Sequence, residues 1–97
     1  MKGYWLILGT NIIDQNAQTT YGDLWRPIAA KYQARLIVDH GSVQIRESRN
    51  TQRILMVEFP TYAIAKACYE DPDYQLAKKF ALAASQRDLL IIEGEFS

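Results

Sequence analysis

The sequence predicts an α+β domain in the order β-α-β-β-α-β, and three observations carry that expectation. Four short runs rich in β-branched and aromatic residues alternate with two stretches of helical periodicity. The chain has 97 residues, room for one hydrophobic core, so residues 1–97 read as a single domain. Three of the four β runs are apolar on both faces, which asks for cover on each side of the sheet.

Tyr4-Trp5-Leu6-Ile7-Leu8 reads as the first strand, ended near Gly9-Thr10-Asn11. Asp14-Gln15-Asn16 is a polar connector in which Asp14 is placed to cap or turn the chain. Tyr21, Leu24, Trp25, Ile28, Ala29 and Tyr32 then fall on one helical face. Pro27 cannot donate to the Asp23 carbonyl, so a kink or a split is expected near Asp23–Arg26. Arg35-Leu36-Ile37-Val38 begins a second strand, which Asp39-His40-Gly41 bends or bulges. Val43-Gln44-Ile45-Arg46-Glu47 alternates and is expected to continue it as a half-exposed edge. After a polar turn over residues 48–52, Arg53 to Phe59 forms the third strand, ended by Pro60.

Thr61 is a suitable cap for the second helix, with Ile64, Ala67 and Cys68 on one side. Asp71-Pro72 interrupts that helix and restarts it, Asp71 as N-cap and Pro72 in the first turn. Leu76, Phe80 and Ala83 are the expected buried face of the second piece. Leu89-Leu90-Ile91-Ile92-Glu93 is the last strand. This is the split βαβ, ferredoxin-like arrangement.

Two helices can cover only one face of such a sheet. Tyr4, Leu6 and Leu8 oppose Trp5 and Ile7; Ile54 and Met56 oppose Leu55, Val57 and Phe59; Leu90 and Ile92 oppose Leu89 and Ile91. A bare apolar sheet face is large for a soluble monomer. A second copy packed sheet to sheet supplies the cover, so a homodimer is expected.

Eleven basic residues balance eleven acidic ones, and they are interleaved along the chain. Phosphate contacts need a basic excess or stripe, so a nucleic-acid partner is not expected. A single cysteine, Cys68, rules out an intrachain disulfide and agrees with a reducing compartment. The apolar run Tyr4–Leu8 is too short for a secretory core or a membrane span, so a cytoplasmic protein without a membrane partner is expected. One histidine and one distant cysteine give no metal-ligand spacing, and a lone axial ligand at His40 is the single route to haem. With no glycine-rich phosphate loop, Ser-His-Asp pattern or Cys-x-x-Cys, no cofactor is called for.

Val57-Glu58-Phe59-Pro60-Thr61, Ala65-Lys66-Ala67-Cys68-Tyr69 and Asp71-Pro72-Asp73-Tyr74-Gln75 resemble the signature of small proteins grouped as domain of unknown function 1330. Tyr4-Trp5, Tyr21, Pro27, Lys31-Tyr32, Gly41, Asp88-Leu89 and Glu93-Gly94 add to the match. The resemblance implies a dimeric α+β barrel, two ferredoxin-like protomers joined through their sheets. Its wider superfamily holds cofactor-free monooxygenases, haem enzymes, isomerases and ligand-binding modules, so the fold does not choose the chemistry. Three departures stand out. Cys68 replaces a frequent Trp and is expected to enlarge a cavity, Gln33-Ala34 replaces Gly-Gly, and Asp39-His40-Gly41 replaces Arg-Gly-Gly.

Two side chains are candidates for catalysis. His40 is the one group that titrates near neutrality without perturbation, and it shares strand parity with Leu36 and Val38. Glu58 shares parity with Ile54 and Met56, which aims a carboxylate into the dimer barrel. Tyr69 and Tyr74, flanking Asp71-Pro72, can donate to a substrate oxygen or wall a pocket, or else pin the helix break by packing. Arg53 can pair with Glu58 or meet a substrate. The function expected is binding of a small hydrophobic or carbonyl-bearing metabolite, with cofactor-free catalysis as its extension. The alternative is a regulatory or structural dimer with a filled barrel.

Overall fold

The computed structural model describes residues Met1 to Phe96, and of His40 it describes the backbone alone. Strand β1 (Lys2–Gly9) is followed by helix α1 (Gln15–Lys31), β2 (Arg35–Val38), β3 (Arg53–Phe59), helices α2 (Tyr62–Glu70) and α3 (Pro72–Ala84), and β4 (Arg87–Gly94). The strands form one antiparallel sheet in the order β2-β3-β1-β4. The fold is ferredoxin-like, as the sequence predicts.

The strand pairs fix which side chains share a face. Trp5 lies opposite Val57 and Ile91, and Ile7 lies opposite Leu55 and Leu89. These residues meet the helices. Tyr4 lies opposite Glu58 and Ile92, and Leu6 lies opposite Met56 and Leu90, on the other, open face. Trp5 is fully buried at the centre of the helix side, among Trp25, Phe59, Tyr69 and Tyr74, with ring centroids 4.9–5.9 Å away. Each such pair adds about 0.5–1.5 kcal/mol beyond the area it buries. The Trp5 indole N–H also donates to the Ala65 carbonyl at 2.9 Å, so no polar atom of the ring is stranded.

The helix ends follow from local chemistry. Asp14 accepts from the Ala17 amide, Thr61 from the Ile64 amide and Asp71 from the Asp73 amide, each satisfying an orphan donor of a first turn. Helix α1 runs unbroken through Pro27, so the chain does not split there as one of the two expected outcomes had it. Pro27 and Asp23 are both exposed, so the carbonyl that loses its partner can be hydrated. At the C-terminal end of α1 Gln33 takes the left-handed conformation, φ 55°, that usually falls to glycine.

Two other expectations are corrected. Strand β2 ends at Val38, because a register shift between Leu36 and Val38 and a 3-10 turn at His40–Ser42 carry the chain off the sheet. Residues 43–52 therefore form an irregular segment rather than an edge strand. The buried face of α3 is Tyr74, Ala77, Ala81 and Ala84, not Leu76, Phe80 and Ala83. The alanines let α3 approach closely, while Leu76 is 51% exposed and Phe80 half-buried.

Candidate functional site

The open face of the sheet holds the expected polar group. Glu58, only 8% exposed, sits on β3 between Tyr4 of β1 and Arg35 of β2. Arg35 Nη2 lies 3.0 Å from its Oε1, Lys2 Nζ 3.5 Å from its Oε2, and the Tyr4 hydroxyl 3.4 Å from Oε2. A buried carboxylate is costly unless paired, and here two cations from different strands flank it. The Phe96 amide donates to the Tyr4 hydroxyl at 2.9 Å, and the Phe96 ring lies 5.0 Å from that of Tyr4. That ring also packs on Gly94, where a Cβ would come within 2.5 Å of it. The carboxylate corner is thus bordered by an aromatic wall and opens onto Leu6, Met56, Leu90 and Ile92. Leu90 is 46% exposed. Such a face can hold an apolar molecule whose polar end hydrogen-bonds to Glu58 or gives it a proton.

The other expected residues are not gathered there. Tyr74 is completely buried on the helix side, where its hydroxyl lies 3.2 Å from the Tyr21 hydroxyl and accepts from Arg87 Nη2 at 2.6 Å. Burial, reinforced by Tyr21, pushes the Tyr74 phenol well above its ordinary range, against the opposing pull of Arg87. Tyr69 packs beside it, with ring centroids 5.4 Å apart. The sheet separates both tyrosines from Glu58. Arg53 lies at the far end of β3, with Nη1 3.5 Å from the Thr10 carbonyl, so the cations beside Glu58 are Lys2 and Arg35 instead. The expected role of His40 rests on its side chain, which lies outside the described residues; its backbone starts the turn just after β2. Lys2 and Arg35 were readable in principle. Lys2 shares parity with Tyr4, and Arg35 opens the strand that pairs with β3.

Away from this corner, Asp71 ties the helix break to the end of α1. Its carboxylate accepts from Lys31 Nζ at 2.8 Å, from the Tyr32 hydroxyl and from the Asp73 amide. These hydrogen bonds, led by Lys31 and then Tyr32, hold it down at about 2. Cys68 is buried nearby, and burial pushes its thiol up to about 12, which removes the thiolate that nucleophilic chemistry requires. Among the described residues no group of three histidine, cysteine or acidic side chains is placed to hold a metal. None of the described helices is long and apolar enough to cross a membrane.

A second feature was not anticipated. The irregular segment 43–52 stands over the opposite end of the open face and encloses an open cleft of about 630 Å³ with Leu8, Ile54, Gln86 and Asp88. Reading this stretch as an edge strand concealed it.

The family described as domain of unknown function (DUF1330) matches residues 2–95. A comparison with curated proteins finds no match. Among solved structures the chain is similar to a protein of unknown function from Rhodopseudomonas palustris, with 16% identity and a TM-score of 0.70 over 99% of this chain and 84% of that one. It is also similar to a dimeric ferredoxin-like protein of unknown function from Jannaschia, with 14% identity and a TM-score of 0.65 over 97% and 100%. A cofactor-independent oxygenase from Streptomyces nogalater shares 10% identity, with a TM-score of 0.59 over 99% and 95%. At these identities the likeness is one of fold.

Proposed function

The chain belongs to the family of domain of unknown function 1330, and on that premise we propose that it binds a small hydrophobic or carbonyl-bearing metabolite on the open face of its sheet, enclosed by a second copy of itself. The observation that carries this reading is the position of Glu58, a nearly buried carboxylate set at the edge of an apolar field of Leu6, Met56, Leu90 and Ile92. An apolar surface with one convergent polar cluster is the usual make-up of a small-molecule site. Glu58 receives the polar end of the ligand, with Lys2 and Arg35 balancing its charge. His40, beside the end of β2, is the second expected contributor. The dimeric ferredoxin-like protein and the cofactor-independent oxygenase among the similar structures support a homodimer and cofactor-free chemistry respectively.

The test combines stoichiometry and binding. Native mass spectrometry of the wild type is expected to give the dimer mass, and Met56→Lys, which puts a charge into the shared face, to give mainly protomer. A metabolite thermal-shift screen then compares wild type with Glu58→Gln. Stabilisation of the wild type that Glu58→Gln loses supports the site. Equal shifts in both remove Glu58 from it, and a protomer-mass wild type at micromolar concentration ends the dimer reading.

A further inference from the structure

The cleft beneath segment 43–52 is separate from the Glu58 corner. It is floored by Leu8 and Ile54, four residues back along β3 from Glu58, or about 13 Å at a strand rise of roughly 3.3 Å per residue. Its volume of about 630 Å³ falls within the range of ordinary small-ligand pockets. Ile45 adds to the apolar lining, while Arg46 and Arg49 enter from the irregular segment.

The state of these two arginines is informative. Elsewhere Arg35 and Lys31 are committed to the carboxylates of Glu58 and Asp71. Arg49 makes no hydrogen bond or ion pair among the described residues, and Arg46 makes one weak bond, 3.3 Å, to the Gln44 amide oxygen. The acids of the lining, Glu47 and Asp88, form no ion pair with either. Two arginines therefore line a cleft with an apolar floor, and of their guanidinium donors only one, on Arg46, is engaged among the described residues. A guanidinium fork matches a carboxylate bidentately, and it binds more strongly where an adjoining apolar surface excludes water.

We infer that this cleft is a second binding site, which takes a small amphipathic carboxylate: the acid on Arg46 and Arg49, the hydrocarbon part on Leu8, Ile45 and Ile54. It does not depend on the Glu58 reading, because no residue is shared.

Octanoate is the probe, with octylammonium as the matched cation, both titrated into the full-length protein by calorimetry and followed by amide NMR. Octanoate is expected to bind once per protomer and to shift the amides of Leu8, Ile54 and residues 44–51, while octylammonium does not bind. The double variant Arg46→Gln/Arg49→Gln is expected to weaken octanoate by about tenfold or more, the loss of two charged hydrogen bonds. Both side chains are exposed, so the variant should keep the wild-type melting midpoint. Equal binding of octanoate and octylammonium, full affinity in the double variant, or amide shifts confined to the Glu58 corner would each overturn the assignment.

Discussion

Replacing Tyr74 by phenylalanine removes a single oxygen from the helix side of the sheet. The ring stays where it is, held by Trp5 at 4.9 Å, Tyr69 at 5.4 Å and Trp25 at 5.9 Å between centroids. What goes is the acceptor for Arg87 Nη2 at 2.6 Å and the partner of the Tyr21 hydroxyl at 3.2 Å. Arg87 also stacks 5.1 Å from the Tyr21 ring centroid, so it remains fixed in place while losing its hydrogen bond. A hydrogen bond to a charged group contributes about 1.5–3 kcal/mol, and a half-buried guanidinium recovers some hydration, which favours the lower end. For a domain of this size each kcal/mol moves the melting midpoint by about 4–8 °C, so Tyr74→Phe should melt roughly 6–24 °C below the wild type. Tyr21→Phe loses the longer, neutral bond to Tyr74 and leaves the 2.6 Å Arg87–Tyr74 bond in place, so it should fall by less. Thermal unfolding followed by circular dichroism is the assay, with protein concentration held constant because association raises the midpoint. If Tyr74→Phe melts with the wild type, or Tyr21→Phe costs more, the Arg87 bond is not what holds this corner together.

Asp71 titrates at about 2, below its unfolded value of about 3.9, so the stability it contributes is complete above pH 4 and is lost as pH falls towards 2. Urea unfolding of Asp71→Asn across that window should show a shallower acid decline than the wild type; parallel curves would remove Asp71 from the acid response. Gly3→Ala would place a Cβ 2.6 Å from the Tyr62 Cα and 2.7 Å from the Thr61 carbonyl, forcing α2 away from β1. A loss of about 1–3 kcal/mol by urea denaturation is expected, and a neutral result would mean that α2 moves freely. Gln33→Gly relieves a non-glycine residue at φ 55° and should raise stability by about 1 kcal/mol. A fall on the same denaturation curve would show that the glutamine side chain contributes more than the strain it carries.

The strands and their faces were legible because period-two patterning is a local property. Tyr4, Trp5, Leu55 and Glu58 lie on the sides their parity assigned. The caps at Thr61 and Asp71 were legible for a similar reason, since the side chain that caps lies within three residues of the amide it satisfies. The exit of the chain after Val38 was not, because Val43 and Ile45 alternate with polar residues as a strand would while the pairing partner they need is absent. Rotation of α3 was hidden by the alanines. Burial there follows how closely the helix approaches, so Ala77 and Ala81 outrank the larger Leu76. The candidate site divided along the same line. Parity aimed Glu58 correctly at the open face, but it could not supply the three-dimensional separation that puts Tyr69 and Tyr74 behind the sheet.

Strand β1 occupies the middle of the sheet, with Lys2 to Gly9 pairing against β4 from Gly94 back to Arg87. In the chain β4 follows β1 by some 80 residues, so the flank of the central strand that pairs with β4 is completed by a distant segment. Closing so long a loop is entropically demanding and slows folding relative to helical domains of equal size. Until β4 arrives, Trp5 and Ile7 also lack Leu89 and Ile91 beside them. A chain lacking residues 87–94 would present the flank of β1 as an apolar, unpaired strand edge, the kind of edge that pairs with a neighbouring chain.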